Sequence, residues 1–310
     1  MLAKQSKLGG EVERKESYAE AKEKEKEKST STNTFINSIK EPFSKLANWM
    51  VIPDKKKKVY MFNEGSAKDR MLLGNKGANL CEMYRMSIPV PPGFVISTEI
   101  CKQINQADSS LSDAVVHSYS KRVKEVEKIT KRSFGLTIAD ASSSSFSDST
   151  SELCFPLLFS VRSGSPLSMP GMMDTILYLG MNDAVAAVME KISGARFAYD
   201  CYRRFLSSYG EVVCEIKREV FDSVISDMKS QRKYSLDTEL TAADLKEICA
   251  SYKTLVPDVP HDPHVQLHCA ILSIFKSWWN PRATTYRELN SISDDIGTAV
   301  TVQSMASCLV

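Results

Sequence analysis

From position 183 onward the apolar residues recur with a helical period. Val185, Val188, Met189 and Ile192 fall at i, i+3, i+4 and i+7, as do Phe221, Val224, Ile225 and Met228, and again Leu245, Ile248, Cys249 and Tyr252. Stripes of this spacing predict amphipathic helices with one buried face. The third opens on Thr241-Ala242-Ala243-Asp244, a variant of the capping box. A fourth stripe takes in Leu267, Ile271, Ile274, Phe275 and Trp278, and together they predict a helical subdomain over 183–290. Strand candidates are few and short: Val59 to Phe62, Gly93 to Ser97, Leu157 to Arg162 and Ala299 to Val302. No internal repeat is visible. The layout reads as α/β with a helical insertion, and the sheet reads as incomplete, because four short strands seldom close a core of this size. The last of them, Ala299 to Val302, is expected to present an unpaired edge.

The remaining segments are polar. Residues 1–58 are dominated by Lys, Glu, Ser and Thr, including the alternation Lys22 to Lys28, and such composition buries too little apolar surface to offset the entropy of ordering. A disordered or helical charged tail is expected. A partner-docking arm through Phe35, Ile36, Phe43, Leu46, Trp49 and Met50 is the competing reading. Lys55 to Lys58 reads as a linker into the first strand. Residues 107–151, ending in the Ser-rich run Ala141 to Thr150, read as a surface loop able to carry phosphorylation sites.

Charge and cysteine usage narrow the class. Forty basic against thirty-eight acidic residues in a chain of 310 give a net charge of +2, too small to imply nucleic acid or an anionic membrane as partner. The longest apolar runs fall far short of the roughly 20 residues needed to span a bilayer. Eight cysteines without a C-x-x-C pair read as buried free thiols in a reducing compartment. The start, Met1-Leu2-Ala3-Lys4, lacks the apolar run of a secretory signal. A cytoplasmic location is expected, with a plastid or other organelle left open.

Two segments can carry chemistry. Gly74-Asn75-Lys76-Gly77 precedes an apolar helical run (Leu80, Met83, Tyr84); glycines permit close backbone approach, a helix start offers N–H groups, and the lysine adds a point charge, all of which suit a phosphate. The spacing is not that of the P-loop enzymes, and a plain helix-starting turn fits it too. In the second, Phe159 to Thr175, a strand ends in Arg162 and runs into a loop rich in Gly, Ser, Pro and Met. An arginine there can grip a phosphate in two places, and methionines suit the flat face of a base. A surface ion pair and apolar filler explain the same residues, and the sequence leaves both readings open. His264 and His268 stand four apart on a predicted helix without a third ligand of suitable spacing, so no metal site is expected. The aromatics of Arg196 to Tyr209 read as a buried helical face, with Arg203 and Arg204 in local ion pairs.

From about Lys58 to Gln303 the chain resembles the N-terminal part of the pyruvate, phosphate dikinases. The resemblance rests on Gly74 to Leu80, on Val90-Pro91-Pro92-Gly93-Phe94-Val95-Ile96-Ser97-Thr98, on all of Ser160 to Thr175, and on Leu179 to Asp183. It continues through Arg196 to Phe205, Ser277-Trp278, Pro281-Arg282-Ala283 and Gly297 to Gln303. The string Met169-Pro170-Gly171-Met172-Met173-Asp174-Thr175 favours the dikinases over the related phosphoenolpyruvate synthases.

The resemblance implies an ATP-grasp-type nucleotide-binding domain: its first part over 59–182, the helical subdomain over 183–290, and the start of the remaining part over 291–310. Family members use ATP and orthophosphate to phosphorylate a histidine on a swivelling domain, releasing AMP and pyrophosphate, and then convert pyruvate to phosphoenolpyruvate. Carried over by motif, Lys76 and Arg162 hold ATP phosphates, Gly171 and Met173 line the nucleotide site, and Thr298 joins them. Asn75 stands where the family usually has a second glycine. The family's continuation beyond Gln303 carries the acidic magnesium ligands, the remaining ATP-grasp strands, the phosphohistidine domain and the pyruvate-binding barrel, so an ATP-binding fragment that is inactive alone is expected. The alternative is a non-catalytic interaction protein derived from the same fold, its partner a full-length dikinase.

Overall fold

The computed structural model describes residues 57–104, 110–135 and 155–306, all within the unit that runs from Asp54 to Val310. The charged tail up to residue 56 and the Ser-rich run 141–150 lie outside the described residues. Among these residues five strands form one antiparallel sheet: β1 (Val59–Met61), β2 (Gly93–Ile96), β3 (Phe159–Gly164), β4 (Thr175–Leu179) and β5 (Ala299–Ser304), in the order β1-β2-β5-β3-β4.

That order corrects two expectations. β5 is no edge: it lies between β2 and β3, pairs with both, and all six of its residues are buried. The sheet also gains β4, absent from the sequence reading. β4 runs antiparallel to β3, and between the pairs Phe159 with Leu179 and Val161 with Ile176 it holds one residue more than its partner. The extra length is taken up at Tyr178, which has a positive φ of 54°, the kind of local kink that a bulge produces. The outer side of β4 is covered, not open. The Leu177 N–H donates to Ser208 Oγ at 3.2 Å, and Ser208 belongs to helix α5 (Ala195–Val212).

Strand residues alternate between the two faces. Val59, Met61, Phe94, Ile96, Val161, Val300 and Val302 enter the large core, packed under α3 (Asp113–Thr130) and α8 (Pro263–Lys276). Tyr60, Val95 and Ala299 enter a much smaller one with Leu73, Ala78 and Cys81 under α1 (Arg70–Arg85). Helix α1 lies close on the sheet because Gly77 has no side chain. A Cβ there would stand 2.8 Å from a Val95 methyl. Of the run Leu80, Met83, Tyr84 only Leu80 packs against this core; the buried residues of α1 are Leu73, Gly74, Gly77, Ala78 and Cys81, and Met83 and Tyr84 are exposed. A short helix, α2 (Thr98–Gln103), follows β2.

Helix α3 corrects the reading of 107–151 as a loop. Its inward face is the narrow stripe Val115, Tyr119, Val123 and Val126. The four helical stripes behave as their spacing predicts. They lie on α4 (Asp183–Ser193), α6 (Arg218–Arg232), α7 (Ala242–Leu255) and α8, with Trp278 in the turn that follows. The Thr241 capping box is formed in both directions, Thr241 N–H to Asp244 at 2.9 Å and Asp244 N–H to Thr241 at 3.3 Å. The aromatic face of α5 is buried through Tyr202, Phe205 and Tyr209. Arg203 and Arg204 share Asp200, as expected. His268 hydrogen-bonds the Tyr119 hydroxyl at 3.0 Å, and His264 meets the Phe134 ring edge-on. Six described cysteines are free thiols, four of them buried.

The segment that leads into β5 is anchored by Arg287 of α9 (Pro281–Leu289). Its guanidinium is fully buried over the Trp278 ring, donates to the Trp278 carbonyl, and pairs with Asp294 at 2.7 Å.

Candidate functional site

Helix α1 is broken at Gly74, where φ is 67° and ψ is 168°. A Cβ at Gly74 would lie 1.7 Å from the carbonyl oxygen of Gly164, so the two backbones touch only because Gly74 lacks a side chain. The helix restarts at Asn75, whose N–H donates to the Ser165 carbonyl at 3.0 Å. The glycine motif and the end of β3, 90 positions apart in a chain of 310 residues, thereby become one structural unit with Lys76 at its front.

Arg162 pairs with Thr301 on β5 and Thr175 on β4, while Thr301 faces Val95 on β2 and Gly164 faces Ala299. Alternation puts Arg162, Thr301 and Gly164 on the α1 side of the sheet. The small core of that side ends there, and the sheet face turns polar. Arg162 is near enough to Lys76 for its charge to act on it. Burial first, and then the Arg162 charge, hold the Lys76 ammonium below the ordinary lysine range. The Lys76 side chain is itself exposed, so the burial is crowding by protein at the mouth of a cleft. Among the described residues neither cation has an ion-pair or side-chain hydrogen-bond partner. By contrast Arg203, Arg232, Arg282 and Arg287 each meet a carboxylate. Two neighbouring like charges without counter-ions favour an anion between them.

The cleft beside them has a volume of about 160 Å³ and is lined by Asn75, Lys76, Ser163 to Ser165 and the loop from Leu167 to Met173. Of the residues predicted from sequence, Lys76, Gly171 and Met173 line it, and Arg162 lies next to Lys76. Gly171 is exposed at the loop tip with φ of 72°, and Met173 is half-buried against the core. Thr298 does not reach the lining. It is fully buried, and its hydroxyl accepts from the Gly164 N–H at 3.2 Å and donates to the Ala299 carbonyl at 3.1 Å. Its observed contact is with the backbone that forms the cleft floor.

Asp174 closes the methionine loop. It pairs with Arg282 and accepts from Asn280 at 3.2 Å, and burial raises its pKa against the lowering effect of Arg282. Asp183 is likewise engaged, by Lys253. The cleft lining contains no carboxylate, so the described residues do not fit a magnesium ion there. A larger cavity of about 450 Å³ lies on the far side of Asp174, among Glu211, Glu215, Lys217, Arg218, Lys276 and Arg282. Its mixed charges select no ligand class.

A polar sheet face carrying Arg162, with Lys76 on the glycine-broken helix over it, is suited to a phosphate chain, and the fold is of the ATP-grasp nucleotide-binding class. Residues 70–308 match the family model described as pyruvate phosphate dikinase, AMP/ATP-binding domain, and the chain belongs to that family. It is 44% identical over 259 residues to the chloroplastic pyruvate, phosphate dikinase of Flaveria trinervia and 44% identical over 257 residues to the pyruvate, phosphate dikinase of Rhizobium meliloti (strain 1021). Over 254 residues it is 41% identical to the enzyme of that name from Clostridium symbiosum. These alignments cover 81%, 80% and 80% of this chain but 26%, 27% and 27% of the relatives. The chain thus spans about a quarter of the length of the curated relatives it matches. No helix among the described residues is long and apolar enough to cross a membrane.

Proposed function

We propose that this chain is the part of a pyruvate, phosphate dikinase that holds ATP, gripping the phosphates with Lys76 and Arg162 and seating the nucleotide against the loop of Gly171 and Met173. The observation that carries the reading is the pair of neighbouring, unpartnered cations at the cleft. Phosphoryl transfer asks mainly for positioning and neutralisation of spreading negative charge, and these two groups supply both. In the family reaction ATP, phosphate and pyruvate give AMP, pyrophosphate and phosphoenolpyruvate by way of a phosphohistidine. A magnesium ion beside the phosphates needs carboxylates that the described cleft does not provide, so the 310-residue chain on its own binds nucleotide without turning it over. A location in the cytoplasm or a plastid is compatible with this role.

The second reading, a non-catalytic interaction protein that docks on a full-length dikinase, assigns the cleft no ligand and leaves the two cations unexplained. Equilibrium titration of the purified chain with ATP separates the two. Binding that weakens at least about tenfold in Arg162→Ala, the loss of one charge-assisted contact, supports the first reading. No binding at millimolar ATP, or equal affinity in the variant, rejects it. Incubation with ATP, magnesium, phosphate and pyruvate should yield no sustained AMP or phosphoenolpyruvate. Production abolished by Lys76→Ala would show instead that the chain is sufficient for the reaction.

A further inference from the structure

Two polar groups, one lining the cleft and one on the strand beside it, are explained by neither the motif nor the fold. Ser165 Oγ and Thr301 Oγ1 are buried without a hydrogen-bond partner, their residues 6% and 1% exposed. Buried hydroxyls nearly always find partners, because leaving one unmade costs about 1–3 kcal/mol. Here both orphans stand beside the two unpaired cations. Ser165 lines the cleft with Lys76, and its own carbonyl fixes the restart of α1. Thr301 is the β5 partner of Arg162. Between them the sheet leaves a gap over Gly164. A Cβ built on that residue would be 3.6 Å from Lys76 Cβ and 3.8 Å from Thr301 Oγ1, ordinary contact distances. The bare Gly164 therefore keeps open a methyl-sized space bordered by the lysine and the threonine hydroxyl.

Resting on the nucleotide reading above, we propose that the Ser165 and Thr301 hydroxyls donate to oxygens of the bound phosphate chain, completing with Lys76 and Arg162 a four-sided cradle whose floor is Gly164. The cations supply charge, which any anion would accept. The hydroxyls supply position, since each has one O–H to donate and can give it only to an oxygen within hydrogen-bond reach of its buried Oγ. The arrangement leaves two buried groups unsatisfied in the empty chain, and ligand satisfies both.

The test uses the full chain, with ATP and inorganic tripolyphosphate as probes, in calorimetric titrations at constant ionic strength alongside thermal melts. Ser165→Ala and Thr301→Val should each weaken both probes about tenfold, while the ligand-free melting temperature stays the same or rises, because an unsatisfied hydroxyl has been removed. Gly164→Ala should melt as a folded protein and bind neither probe, the added methyl filling the cradle. Unchanged affinity in Ser165→Ala and Thr301→Val, with loss in Lys76→Ala and Arg162→Ala, overturns the cradle and leaves the nucleotide reading standing. Loss confined to ATP would move the hydroxyls to the base or ribose and also overturn it. Unaltered binding in Lys76→Ala and Arg162→Ala, or no binding of either probe to the unsubstituted chain, removes the nucleotide reading and the cradle with it.

Discussion

Gly74 and Gly164 meet backbone to backbone, with no room for a Cβ on the first: the nearest atom would be a carbonyl oxygen at 1.7 Å. Gly74→Ala therefore forces a left-handed φ on a residue with a side chain, costing about 1–3 kcal/mol by itself, and also pushes the helix off β3. Denaturant unfolding should show at least that loss, and affinity for ATP should fall with it. A variant as stable as the parent would mean that the contact is loose.

Arg162→Ala and Arg203→Ala should give opposite results. Arg162 has no partner to lose, so its removal should leave stability within about 0.5 kcal/mol and reduce ATP binding. Arg203 is buried against Asp200, so its removal should cost about 1–3 kcal/mol of stability and leave affinity intact. Equal effects of the two on binding would place Arg162 in a structural role.

The lowered pKa of Lys76 makes stability depend on pH in a defined direction. Between the lowered value and the ordinary one the unfolded chain holds the extra proton, so stability rises with pH across that window, and the unfavourable charge is fully present below it. Polyphosphate should reverse the shift by supplying the missing counter-charge. An NMR titration of the lysine ammonium groups, with Lys76 assigned through Lys76→Arg, should show it titrating ahead of the exposed lysines and moving back up when tripolyphosphate is added. A midpoint indifferent to ligand would contradict the proximity to the phosphates.

Arg287→Leu tests the approach to β5. It removes the donor to the Trp278 carbonyl and the counter-charge of Asp294, at an expected cost of about 2–4 kcal/mol in thermal or denaturant unfolding. A loss within 0.5 kcal/mol, typical of a surface change, would show that the buried guanidinium anchors nothing.

Helices with a full apolar stripe were readable because four positions at i, i+3, i+4 and i+7 outweigh the residues around them. Helix α3 was not. Its stripe is about one residue wide per turn among lysines and glutamates, and composition masks it. β4 begins without a break from the methionine loop and is bent at Tyr178, so it shows no alternation to read. The two cations of the site stand in recognisable motifs. The orphan hydroxyls do not: Ser165 is buried and Ser168, three residues on, is exposed, and nothing in the sequence separates them. An unsatisfied donor is a property of three dimensions.

The strand at the centre of the sheet is the last of the five described strands to be synthesised. β2 and β3 are not neighbours, and each reaches the other only through β5. Until 299–304 emerges, β1 with β2 and β3 with β4 are separate ribbons with open edges, exposed to chaperones and to other chains. Joining them closes a loop over almost the whole described chain, which makes the step late and slow. Thr301 arrives on that same strand. Nucleotide affinity should thus switch on in a nascent chain only with the closing of the sheet, however much helix has already formed.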